Sequence, residues 1–335
     1  MKNPVYLASL ALLPIGMLAV STMALSQVTT PQPELHTTPT AMVDTLNSVF
    51  GDHKERAIHA KGQLLEGTFT PSDSAAAISM APHLQKKAVP VIVRFSNFAG
   101  VPDIPDNHPL ASPRGLAIRF QLPDGSNTDL VAHSFNGFPS ANADQFRELL
   151  QALAASGPDA AKPTALDTYL GMHPIAKNFL TAPKPAPVSY GSLPYFGVNA
   201  FKFSNAAGKV SYGRYQIVPV AAPAYLTDEQ TKAASPSYLG DEIVQHVATT
   251  PVAFKLMLQI AAKEDKVDDP SVAWPDSRHT VELGTLVINK VAPDMAAAQK
   301  AIVFMPNVLP KGIAVEDQMV NFRSSAYAVS FGRRQ

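Results

Sequence analysis

Between residues 40 and 291 the hydrophobic positions switch repeatedly between a strand pattern and a helical one. The pattern predicts a helix over Thr40–Phe50 and strands over Gly62–Thr70 and Val89–Asn97. The second strand begins Val89-Pro-Val-Ile-Val-Arg-Phe95, nearly all apolar, as a strand buried on both faces would be. Leu116–Leu122 alternates, Pro123-Asp-Gly125 carries turn chemistry, and Leu130–His133 makes the return strand of a hairpin. Asn142–Ala155 reads as an N-capped helix. Phe196–Phe203 and Lys209–Val218 form a further strand pair around Asn205-Ala-Ala-Gly208. Helical patterns return over Thr227–Ala234 and Tyr238–Glu264, and Val281–Val291 closes the series as a strand. Groups of strands alternating with groups of helices predict an α+β domain with an antiparallel sheet or barrel. No fixed-period repeat interrupts it. Residues 27–42, rich in Thr, Pro and Gln, read as a flexible leader, and residues 43–335 as one domain.

Composition sharpens this picture. The 335 residues are 46% apolar, enough for a sizeable core. Formal net charge is zero and no dense Lys/Arg run is present, so nucleic acid is not an expected partner. The 30 prolines cluster in stretches such as Ala182-Pro-Lys-Pro-Ala-Pro187 and predict long connections. Absence of cysteine excludes disulfides and thiol chemistry. At the N-terminus, Lys2 precedes an apolar stretch from Val5 to about Val20, and Ala24-Leu25-Ser26 has cleavage-site spacing. Residues 1–26 are therefore expected to be a signal peptide and the mature chain periplasmic or secreted, without a stable membrane partner. A retained anchor is the alternative, which Pro14 and Gly16 disfavour.

Candidate chemistry lies in two distant segments. Arg323-Ser-Ser-Ala-Tyr327 places an Arg and a Tyr on one face of a helix. A guanidinium held against a phenol favours the phenolate, a hard ligand for ferric iron. Far upstream stands Glu55-Arg-Ala-Ile-His-Ala-Lys-Gly62. The nine histidines show no HxxxH or HExxH spacing, so a dedicated zinc or non-haem iron site is not expected.

Taken in order, several segments resemble the catalase superfamily: Arg56–Gly62, Val93-Arg-Phe-Ser96, Ser112–Phe120, Asp129-Leu-Val131, Phe196–Phe203, Val210–Tyr215, Leu309–Ile313 and Arg323–Tyr327. The resemblance spans roughly residues 45–335, and it is to the compact, catalase-related branch. It implies haem b, with its iron, on an eight-stranded antiparallel β-barrel with added helices and without the C-terminal helical domain of large catalases. It further implies a distal His59 that relays a proton, Ser96 fixing its tautomer, and Tyr327 as the iron ligand with Arg323 beside it. Arg56, Arg94 and Arg334 match propionate-binding positions, Phe146 the aromatic packed on the haem face, and Phe138 a distal-pocket residue. One departure concerns His133, which stands where the catalase pattern places the second distal residue, an Asn; Asn136 lies nearby. The implied activity is a haem peroxidase that reduces hydrogen peroxide or organic hydroperoxides with a small organic donor, with weak catalase activity. A lipid-hydroperoxide isomerase or dehydratase, or a non-enzymatic haem or apolar-ligand carrier, are the alternatives. No dinucleotide fingerprint is present, so NADPH is not expected. A homo-oligomer is left open.

Overall fold

Eight strands close into a ring. The computed structural model describes residues 35–335, so the expected signal peptide and the first part of the leader lie outside the described residues. In chain order the elements are α1 (Pro39–Phe50), β1 (Gly62–Pro71), α2 (Ala75–Ile78), β2 (Val89–Ser96), β3 (Gly115–Gln121) and β4 (Asn127–His133). Then come α3 (Ala143–Ala154), α4 (Ala165–Met172), α5 (Pro174–Thr181), β5 (Tyr195–Phe196), β6 (Phe201–Ser204) and β7 (Val210–Pro219). The series ends with α6 (Asp228–Ala233), α7 (Tyr238–Thr249), β8 (Val252–Ile260), β9 (Thr280–Val291), α8 (Met295–Ala301), β10 (Ile313–Val315) and α9 (Met319–Arg333). Every pairing is antiparallel, and the barrel runs β1-β2-β3-β4-β5-β7-β8-β9 and back to β1. β6 continues the β5 edge along β7, and β10 adds to β6. The fold class is thus the expected one, and among the described residues no helical domain follows α9.

Period-two alternation decides what each barrel face carries. Val91, Val93 and Phe95 on β2, Leu116, Ile118 and Phe120 on β3, and Leu130 and Ala132 on β4 point into one continuous core. The opposite face of the same three strands carries Arg94 and Ser96, Gly115 and Ala117, and Asp129, Val131 and His133. That outer face is buried too, because helices cover it. Met42, Val43 and Leu46 of α1, Phe146, Leu149 and Leu150 of α3, and Met319 and Ala326 of α9 form a second apolar cluster above it.

Three boundaries differ from expectation. The strand expected over Phe196–Phe203 is two, β5 and β6, separated by residues 197–200. α1 begins at Pro39, ahead of the domain start expected at 43. Thr38 caps it, accepting from the Ala41 amide at 3.2 Å, and Asp144 accepts from the amides of His36 and Thr37 at 3.1 and 2.7 Å. The last residues of the supposed leader are therefore tied to α3. The helix expected over Tyr238–Glu264 stops at Thr249, and Val252–Ile260 is barrel strand β8. Pro251 disfavours helical backbone at the residue before it. Beyond it Val252, Phe254, Leu256 and Leu258 are buried while Ala253, Lys255 and Met257 are not, a strand period misread as a helix.

Candidate active site

A cavity of about 1200 Å³, part of it open to solvent, lies between the outer face of β2–β4 and the covering helices α1, α3 and α9. All ten residues singled out from the sequence line it: Arg56, His59, Arg94, Ser96, His133, Phe138, Phe146, Arg323, Tyr327 and Arg334. Most of the remaining wall is apolar, and no carboxylate among the described residues lines it.

Strand register builds the side that carries the histidines. Gly62, Ser96, Gly115, His133 and Phe196 form one cross-strand row at the rim of the barrel. Gly115 leaves room above the row for the ring of His59, and Gly62 leaves room for the Arg94 guanidinium. A Cβ on Gly115 would stand 2.4 Å from Ser96 Oγ and 2.7 Å from His59 Nδ1. Ser96 Oγ lies 3.1 Å from His59 Nδ1, so Nε2 is the ring nitrogen left for a ligand. The loop that presents His59 is fixed at several points. Its amide donates to Phe98 O at 2.9 Å, and Arg94 donates to His59 O and Ala60 O at 3.0 and 2.9 Å. Burial, then the positive field of Arg94, lowers the His59 pKa to about 3, so the imidazole is neutral at neutral pH.

His133, the last residue of β4, is buried with both ring nitrogens lacking a hydrogen-bond partner. Burial lowers its pKa to about 3, assisted by Arg323 and His59. Among the described residues its ring nitrogens make no close hydrogen bond, and only a weak backbone interaction with Phe135 favours its charged form.

The opposite wall is α9. Arg323 and Tyr327 share a face at the i, i+4 spacing, and Arg323 donates to the Tyr327 oxygen from Nε at 3.1 Å and from Nη2 at 2.9 Å. Behind them Arg323 also donates to Asn199 Oδ1, and Asn199 donates to Asp317 Oδ2 at 2.7 Å. Asp317 additionally accepts from the Met319 amide at the start of α9. Burial pushes the Asp317 carboxyl up against the pull of these donors. Asn199 and Asp317 were not singled out beforehand. Asn199 sits inside the quoted Phe196–Phe203 segment, and Asp317 is an acidic residue just ahead of a helix.

A third wall is cationic. Arg56 and Arg334 both donate to the carbonyls of Gln299 and Ile302, while Arg94 Nε donates to Gln299 Oε1 at 3.0 Å. Arg56 Nη1 and Arg334 Nε are buried without partners. Burial and the two neighbouring guanidiniums bring the Arg56 pKa down to about 7. Three guanidiniums that Glu55 only partly offsets, beside a cavity that no carboxylate of the described residues lines, suit an anion, and Arg forks suit a pair of carboxylates. Phe146 packs on Phe138 at 4.9 Å between ring centroids and a 51° tilt, which makes the aromatic part of the cavity.

Residues 41–334 match the Catalase family. The chain is 35% identical over 298 residues to a catalase-related peroxidase of Mycolicibacterium paratuberculosis, covering 88% of this chain and 93% of that one. It is 31% identical to a catalase-related peroxidase of Synechococcus elongatus, covering 89% and 88% of the two chains. The crystal structure of a fungal catalase superposes with a TM-score of 0.74 at 20% identity, over 84% of this chain and 59% of that one. The chain belongs to the catalase family, and within it resembles the catalase-related peroxidases over nearly its whole length.

Proposed function

We propose that this protein is a haem-dependent peroxidase that reduces hydrogen peroxide or organic hydroperoxides with an organic one-electron donor, and that its catalase activity is weak. The observation that carries the reading is the opposition of two devices across one cavity. His59, held by Ser96, stands on one wall, and Tyr327, held by two Arg323 donors, stands on another.

The residues present fit haem. The unpartnered Arg56 Nη1 and Arg334 Nε, in a cavity that no carboxylate of the described residues lines, match propionates. Phe138 and Phe146 match a flat macrocycle, and the Tyr327 oxygen, already accepting two guanidinium hydrogens, matches an anionic iron ligand. Bound haem supplies the electrons that cleave the peroxide O–O bond. The protein's part is proton handling. Neutral His59 takes the hydroperoxide proton at Nε2 and returns it to the leaving oxygen. Ser96 keeps the ring oriented through Nδ1. The chain Asp317–Asn199–Arg323 keeps positive charge against the Tyr327 oxygen. One hydroperoxide and two donors AH give one alcohol or water, one further water and two donor radicals. Weak catalase activity follows from His133, because a bulkier imidazole occupies the wall where the catalase pattern has an Asn.

The test compares the purified holoprotein with His59→Gln and Tyr327→Phe. Wild type should oxidise guaiacol with hydrogen peroxide while releasing oxygen far more slowly than a large catalase. His59→Gln should lose roughly 10²- to 10⁴-fold in kcat/KM for peroxide with its absorption spectrum retained. Tyr327→Phe should lose or shift the ferric spectrum. Peroxide consumption without donor oxidation would instead mark an isomerase, and a protein that takes up no haem would end the reading.

A further inference from the structure

Next to the wall that carries His59 and Ser96 lies a buried polar cluster that the proposed chemistry does not use. Its hub is Asp106, fully buried in the loop between β2 and β3. One carboxylate oxygen accepts from Asn97 Nδ2 at 2.7 Å and from Lys61 Nζ at 2.9 Å. The other accepts from the Leu239 amide in the first turn of α7 at 2.9 Å. The Asp106 carbonyl accepts from Arg114 Nη2, and Arg114 Nη1 donates to Asn97 Oδ1. Asn97 Oδ1 also accepts from the Tyr190 hydroxyl at 3.0 Å. Asn97, Arg114 and Tyr190 are buried as well. Neither Asp106 nor Lys61, Asn97 or Arg114 lines the cavity, so none of them touches what binds there.

Their places in the chain connect them to the site. Lys61 follows His59 by two residues, Asn97 follows Ser96, and Arg114 precedes Gly115, above which the imidazole sits. The three backbone segments that carry the imidazole, its hydroxyl partner and its floor thus converge on one carboxylate. The Asn97 amide donates to Lys61 O at 3.0 Å and ties two of them directly. Lys61 Nζ donates further to Ile104 O at 3.0 Å and to Pro236 O at 2.7 Å, so its side chain anchors the C-terminal end of the left-handed turn at His59. Apolar side chains filling the same space would often stabilise a fold as well as a buried ion pair does. What the ion pair adds is direction, because charged hydrogen bonds fix angles that carbon contacts leave loose.

We propose that Asp106, acting through Lys61 and Asn97, is a positioning residue for the His59–Ser96 pair. It holds the imidazole where Nε2 can exchange a proton with the bound substrate, without touching that substrate itself. This rests on the peroxidase reading, in which His59 moves the peroxide proton, and extends the proton-handling device to residues outside the cavity.

The experiment uses the haem-loaded full chain, with cyanide as a probe that needs neither peroxide nor donor. Hydrogen cyanide must give up its proton to bind as the anion, so its association rate reads the position of the base His59. Lys61→Met should lower both the cyanide association rate constant and kcat/KM for hydrogen peroxide roughly tenfold. The haem absorption spectrum should not change, since Arg323 and Tyr327 stand on another wall. In a His59→Gln background Lys61→Met should lower neither constant further, because a residue that acts through His59 has nothing left to position. Asp106→Asn keeps the side-chain shape and removes its charge, and should repeat the pattern in a second variant. Losses that add in the double variant, or no loss in Lys61→Met and Asp106→Asn, overturn the proposal even where peroxide and guaiacol turn over as expected. The non-additive pattern in cyanide binding, in a protein that oxidises no donor, would support the positioning role and refute the peroxidase reading.

Discussion

His59 has a backbone φ of +58°, a left-handed conformation that costs a residue bearing a Cβ roughly 1–2 kcal/mol. The hydrogen bonds from its amide to Phe98 and from Arg94 to its carbonyl hold it there, and the turn aims its ring across Gly115. Gly115→Ala should therefore injure the site without injuring the barrel. The new methyl would fall 2.4 Å from Ser96 Oγ, so the His59–Ser96 contact must break. Peroxide turnover should fall at least tenfold with far-ultraviolet circular dichroism unchanged, and full activity would show that the contact is not needed. The pH profile is a second check on the same ring. Since the native pKa of His59 is depressed to about 3, its base form persists well below the ordinary imidazole value near 6.5. The rate constant for peroxide reduction should stay flat from pH 8 to about 5, and a limb centred at 6.5 that disappears in His59→Gln would contradict this. The left-handed turn itself is not legible in the sequence. Nothing about His-Ala-Lys-Gly demands it until β1, β2 and the loop carbonyl of Phe98 are in place.

α9 delivers Arg323, Tyr327 and Arg334 to the cavity from one helix and its cap, and Ser330 on the same helix accepts from the Ala57 amide at 3.1 Å. The helix thereby fixes the loop that carries His59 as well as its own wall. The spacing of Arg323 and Tyr327 was readable because a helix maps i and i+4 onto one face. The strand β8 was not, because its apolar residues join a genuine helix, α7, with only Thr250 and Pro251 between them. Likewise the helices α4 and α5 stand where no element was expected, just ahead of the Pro-rich stretch 182–187, and Pro174 sits at the first turn of α5, where a missing N–H costs nothing. The guanidinium cluster gives α9 an energetic signature. Arg56, Arg94 and Arg334 repel one another, Glu55 offsets only part of this, and burial adds to the strain. Arg334→Gln should raise the melting temperature of the haem-free protein while speeding haem loss from the loaded protein to apomyoglobin. Opposite signs in the two measurements are the diagnostic. A variant less stable without haem would mean that the hydrogen bonds of Arg334 to Gln299 and Ile302 outweigh the repulsion.

Across the whole molecule, two layers share one wall: the barrel fills its inside with carbon, and its outer face on β2–β4 is covered by helices that leave the site between. That arrangement encloses three imidazoles, half-buried His59 and buried His133 in the cavity and buried His83 between Phe69 and Phe120 at one edge of the barrel core. Burial is the largest cause in each case, and each native pKa is lowered to about 3. In the unfolded chain the same rings titrate near 6.5. Between these values the unfolded chain binds protons that the native chain refuses, so stability is full above pH 6.5 and falls as pH falls toward 3. Each ring contributes about 1.4 kcal/mol per pH unit inside that window, and three together about 4 kcal/mol per unit. His83 isolates one share of this slope, since it lies outside the site and its Nδ1 is buried without a partner. His83→Phe keeps an aromatic ring between Phe69 and Phe120 and removes the proton. Urea unfolding at pH 7 and at pH 5 should then show a difference about one third smaller than in the wild type, with the gain confined to the acid side. A slope unchanged by His83→Phe would place the acid sensitivity in the carboxylates instead, of which Asp265, bonded to Arg278 and with its pKa lowered, is the leading example.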